Sequence, residues 1–82
     1  METRINAGYA IVSDIVVGEF EFVLGHNPKA PSPFVTWEYS PRGGYYWGHY
    51  FEDENDAVFD LLERAAVALR AIGVPIEVSY GE

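Results

Sequence analysis

The chain has 82 residues, no cysteine, and a formal net charge of -8 from 13 acids set against 5 bases. That length fits one domain with a single modest core and leaves no room for a second. The lack of cysteine removes disulfide frameworks and thiolate metal sites, and the acidic balance disfavours direct binding to phosphate backbones or anionic lipid. The opening METRINAGYAIVSDIVV lacks the basic start, long apolar run and small-residue cleavage site of a secretion signal, and no run approaches the length of a membrane span. A cytoplasmic protein is expected.

Residues 1–7 are polar and are expected to be loose. The run YAIVSDIVV, Tyr9 to Val17, is rich in β-branched residues and reads as a strand, with Ile11 and Ile15 on one side and Val12 and Val16 on the other. After Gly18, strict alternation in EFEFVL puts Phe20, Phe22 and Leu24 on one face and Glu19, Glu21 and Val23 on the other. A tight turn at residues 17–19 makes these two strands a hairpin. Three prolines and a glycine mark residues 25–33 as a restrained loop. PFVTWEYS then reads as a third strand, with Val35, Trp37 and Tyr39 alternating against Phe34, Thr36 and Glu38. A Pro-Arg-Gly-Gly turn leads into YYWGHYF, a fourth strand with Tyr45, Trp47, His49 and Phe51 opposite Tyr46, Gly48 and Tyr50.

The one sustained helical period follows. Val58, Leu61, Leu62, Ala65, Ala68, Leu69 and Ile72 recur at three- and four-residue spacing, and Asp56, Asp60, Glu63, Arg64, Val67 and Arg70 fall mostly between them. This predicts a helix over 54–72, capped by Asp53, stapled by Phe51, and ended by Gly73 and Pro75. Asp56, Asp60 and Glu63 are expected to point away from the apolar stripe. Residues 76–80, IEVSY, alternate again and are read as an edge strand or tail, with a tail or irregular edge preferred. The fold expected is a two-layer α+β domain, ββββα: a four-stranded antiparallel meander covered on one face by a C-terminal helix. The other sheet face is then left partly exposed as a contact surface.

No stretch carries a catalytic, cofactor or metal signature. His26 and His49 have no second ligand at helical or strand spacing, the serines lack a nucleophile-elbow setting, and Gly43-Gly44 joins two strands rather than opening a helix. The protein is therefore expected not to be an enzyme and to need no cofactor. Trp37, Tyr39, Tyr45, Tyr46, Trp47 and Tyr50 are dense enough to stack nucleobases, but Arg42 is the only base nearby, so cross-strand packing or a protein contact is the expected use. Six acids and no base lie between Glu52 and Glu63.

The segments EFVLGHNPKAPSPFVTW (21–37), YYWGHYF (45–51) and DAVFDLLERA (56–65) resemble those of small, uncharacterised acidic proteins of conjugative elements and phages of Gram-positive gut bacteria, over about residues 9 to 70. The resemblance implies a context in which small acidic proteins inhibit host defence, and it implies no activity or site. Together these features predict a protein-binding module that offers Glu52, Asp56, Asp60, Glu63, Trp47 and Tyr50 to a basic partner such as a nucleic-acid enzyme. Direct contact with nucleic acid or membrane is not expected. The alternative is a homodimeric accessory protein whose acids serve solubility alone.

Overall fold

A computed structural model describes residues 3–73 and the backbone of 76–80. After a two-residue strand β1 (Ile5–Asn6), the strands β2 (Tyr9–Val17), β3 (Phe20–His26), β4 (Phe34–Ser40) and β5 (Gly44–Phe51) form an antiparallel meander, and the helix α1 (Glu54–Ile72) and strand β6 (Ile76–Tyr80) follow. The α+β architecture and the meander are those the alternation patterns predict. Residues 76–80 form a regular edge strand rather than a tail, pairing with β2 from Ser13↔Tyr80 to Val17↔Ile76. β1 and β6 both lie along the β2 edge that faces away from β3, so residues 5 and 6 are paired rather than loose. Residues 1–2 and the expected helix stop at Pro75 lie outside the described residues.

Local chemistry explains the connections. Gly18, at φ 61°, is the first of two loop residues between the paired Val17 and Phe20, the place where a type II′ hairpin turn needs a positive φ. In the 25–33 loop, Asn27 donates its amide to the Pro33 carbonyl at 2.8 Å and accepts from the Lys29 amide through its side chain, while the Tyr9 hydroxyl donates to the Ser32 carbonyl at 2.7 Å. The Asp53 side chain accepts from the Asp56 amide at 3.2 Å, and Gly73, at φ 66°, donates its amide to the Leu69 carbonyl at 2.7 Å. Both helix ends are thus capped as the sequence predicts.

Two β-bulges change the side assignments that plain alternation gives. In β2 the register shifts between Ile11 and Ser13, so Val12 has no partner on β3 and the residues before and after it exchange faces. Ile15, Val17, Phe22 and Leu24 pack under the helix with Ala57, Leu61 and Ala65, and Val12 joins them. Ile11, expected beside Ile15, lies in a second cluster on the other side of the sheet. The second bulge sets Trp47 and Gly48 against Trp37 alone, with Trp47 in the left-handed region at φ 56°. It sends Tyr45 and Tyr50 to the far face and leaves Trp47 and His49 on the helix side.

The far face is not the exposed apolar surface that one helix alone implies. Tyr9, Val23, Val35 and Trp37 form a buried cluster there, with Ile11, Ala30, Tyr39 and Tyr45 packed around it. The Trp37 indole makes this possible by lying against two glycines. A Cβ on Gly48 would sit 2.8 Å from its Nε1, and a Cβ on Gly25 would sit 3.1 Å from its Cζ3. Tyr9 meets the indole edge-on with ring centroids 5.6 Å apart, so one large ring serves as the centre of a second small core.

Candidate functional site: an acidic, aromatic groove beside the helix

The C-terminal half of α1 and strand β5 diverge over β3 and β4, leaving an open groove of about 580 Å³. Its walls are mostly apolar, from Phe20 and Phe22 on β3, Trp47 on β5, and Val67, Ala68 and Ile72 on α1. Its polar groups are Glu38, His49, Asp60, Glu63 and Arg64. The bulge at Trp47 is what places that indole at the rim, where it is 71% exposed.

The floor is organised by Asp60. Its carboxylate accepts from the Thr36 hydroxyl at 2.5 Å, from Nδ1 of His49 at 3.0 Å and from Nε of Arg64 at 3.3 Å. The same Arg64 donates from its terminal nitrogen to the Trp47 carbonyl, so the guanidinium ties the helix to the bulge. Burial raises the proton affinity of Asp60, but the Thr36 hydroxyl, His49 and Arg64 outweigh it and hold the carboxyl below its ordinary range, which keeps it ionised. Asp60 therefore does not point away from the apolar stripe, as helical spacing alone predicts: Thr36 lies on the helix-facing side of β4, fully buried, and its hydroxyl needs an acceptor.

This arrangement differs from a nucleophile relay. In a relay a hydroxyl gives its proton to an imidazole that a carboxylate orients, whereas here Thr36 donates directly to the carboxylate and His49 binds the same group from the side. His26 lies elsewhere, stacked on Phe34 with ring centroids 4.8 Å apart. Among the described residues no three His, Asp or Glu side chains gather closely enough to hold a metal ion, and no helix is long and apolar enough to cross a membrane. Glu38 accepts from the Tyr46 hydroxyl at 3.1 Å, and burial together with that bond pushes the Tyr46 phenol above its ordinary value.

The six residues expected to form one partner surface fall into separate places. Trp47, Asp60 and Glu63 line the groove. Asp56, Asp60 and Glu63 line a second, equally open depression on the outer side of α1, together with Phe51, Phe59 and Leu62. Glu52 is exposed at the end of β5, and Tyr50 packs on Tyr9 and Trp37 across the sheet from the groove. Leu62 and Ile72, assigned to the buried stripe, are exposed, and the stripe actually buried is Ala57, Leu61 and Ala65. Four residues of the site carry signals that residue type alone obscures. Asp60 and Arg64 have the i, i+4 spacing of a helix ion pair. Thr36 alternates with Val35 and Trp37 and so faces the helix. Phe59 is a large apolar residue outside the stripe, and it is 75% exposed. No family profile, curated protein or solved structure matches the chain.

Proposed function

We propose that the protein is a protein-binding module that docks a basic partner on the outer face of α1 and the adjoining Trp47 rim. The observation that carries this reading is the company the exposed apolar side chains keep. Phe59, Leu62, Val67 and Trp47 are all exposed, and the acids Asp56 and Glu63 stand among them. Arg64, the nearer of the helix's two arginines, is turned inward to Asp60 and the Trp47 carbonyl, with its side chain only 11% exposed. Apolar area of this kind contributes affinity when buried, and a predominantly acidic surround, with Arg70 the exposed base of the helix, favours a partner of opposite sign and speeds its approach. A basic cleft of the sort nucleic-acid enzymes use is the partner class that complements it. An inhibitor of such an enzyme, of the kind mobile elements carry, is the role that fits.

A homodimer through the same face is the weaker reading, because a two-fold contact sets Asp56 and Glu63 against their own copies. Pairing through the free edge of β5 is also disfavoured, since the bulge at Trp47 breaks the ladder there and Arg64 occupies the Trp47 carbonyl.

The test uses charge reversal at Asp56 and Glu63, leaving Asp60 intact because it holds Thr36. Wild-type and reversed proteins are used in parallel to capture partners from extracts of the source cells, and the affinity of any partner is then measured at low and moderate salt. The reversed protein is expected to bind more weakly and with less salt dependence. Equal affinity at both salts, or a salt-insensitive dimer of the wild type in light scattering, would refute the reading.

A further inference from the structure

Resting on the docking reading above, we propose that the groove between Trp47 and the C-terminal half of α1 is the seat for one arginine side chain of the partner. Its guanidinium lies on the Trp47 indole beside Glu63, and the apolar residue next to it in the partner packs against Phe20, Val67 and Ile72. Each part of that ligand answers something in the groove. The indole is largely exposed at the rim, and a guanidinium, planar and weakly hydrated, stacks on such a ring better than an ammonium does. The carboxylates of Glu38 and Glu63 line the groove, and neither pairs with a cation among the described residues. Arg64 offsets Asp60 and faces inward, so the charge presented to a ligand is negative.

An anionic ligand is repelled by that charge, and a purely aliphatic one strips water from Glu38 and Glu63 without replacing it. A second copy of this chain brings acids to acids. The groove, at about 580 Å³, is of the size that holds a small ligand, here one long side chain with an apolar neighbour, and it is too open to enclose a free cation on all sides.

The experiment is a titration of isotopically labelled protein, followed by NMR, with three acetylated heptapeptides. They alternate leucine with arginine, with lysine, or with the uncharged arginine analogue citrulline. The arginine peptide is expected to shift the Trp47 indole N–H and the Val67 methyls saturably, and to bind more tightly than the lysine peptide and far more tightly than the citrulline one. Trp47→Ala is expected to weaken arginine-peptide binding about fivefold. Glu63→Gln, an exposed change with no structural contact to lose, is expected to weaken it about two- to threefold at low salt and little at high salt. Equal binding of the citrulline peptide would overturn the cation seat. Shifts confined to Asp56, Phe59 and Leu62 would overturn the groove as the seat while leaving the docking reading standing. No saturable shift anywhere with either basic peptide would remove both.

Discussion

Asp60 offers the sharpest test of the site's architecture, because helical spacing alone makes it an indifferent surface acid and the structure makes it an anchor. Replacing it with alanine strands the Thr36 hydroxyl in a fully buried position, which costs about 1–3 kcal/mol. Loss of the His49 and Arg64 contacts adds up to about 1 kcal/mol, since one partner is half exposed and the other keeps the Trp47 carbonyl. Asp60→Ala is thus expected to destabilise by about 1–4 kcal/mol, and Thr36→Val, which removes one bond to a carboxylate that keeps its other partners, by about 1–2 kcal/mol. In the double variant the valine removes the very group the alanine strands, so the pair should be less destabilised than Asp60→Ala alone, with a coupling energy of about 2–3 kcal/mol. Urea unfolding of the four proteins, followed by far-ultraviolet circular dichroism, measures it. The carboxyl is held below its ordinary value in the folded state, so its ionised contribution is fully present above the unfolded value of about 4 and is lost as pH falls through the folded value. The gap between wild type and Asp60→Ala should accordingly narrow only in acid below that point. Additivity of the two substitutions within about 0.5 kcal/mol would refute the buried Thr36–Asp60 bond.

The helix faces are distinguished by Leu61→Ala, expected to cost about 2–5 kcal/mol from a fully buried site, against Leu62→Ala, expected within about 0.5 kcal/mol of wild type in the same melts. Gly48→Ala forces the buried Trp37 indole to move and should cost about 1–3 kcal/mol and alter the near-ultraviolet dichroism of the rings, while Gly43→Ala, whose Cβ would meet nothing closer than 3.7 Å, should change neither. Asp53→Ala removes the cap to the Asp56 amide and should cost about 1 kcal/mol by thermal or urea unfolding.

The parts of the fold legible in the sequence are those set by local rules. Strand alternation in EFEFVL, the acids and capping aspartate before the helix, and the glycine after it each specify geometry within a few residues, and the structure places those elements where the patterns do. What alternation cannot carry is a change of phase. The extra residue at Val12 and the left-handed turn of Trp47 each reverse the sides downstream, so Ile11 parts from Ile15, and Tyr45 from Trp47 and His49. The bulge at Val12 has no composition that marks it, whereas Gly48, a lone glycine inside a strand pattern, is a mark of the second. Trp47 and Tyr50, three residues apart, lie on opposite faces as plain alternation already has them, so the two cannot belong to one partner surface. Helical spacing misplaces Asp60 for a different reason: its partner Thr36 lies on a distant strand, and a pairing of that range leaves no local trace. A short alternating run such as 76–80 is ambiguous in the sequence until the edge of β2 is seen to be open beside it.

The way β6 returns to β2 joins two strands about sixty residues apart in sequence. The meander grows outward from β2 to β5, and α1, at about 1.5 Å per residue, carries the chain back across the sheet so that residues 76–80 can pair with Ser13 to Val17. During synthesis the hairpins emerge before α1 and β6, so that edge of β2 stays without its β6 partner, and Ile15 and Val17 stay uncovered, until the helix has docked and β6 has arrived. An uncovered strand edge beside exposed apolar side chains is a template for any passing β-segment. The tempo at which this protein becomes safe from its neighbours is set by the arrival of residues 76–80.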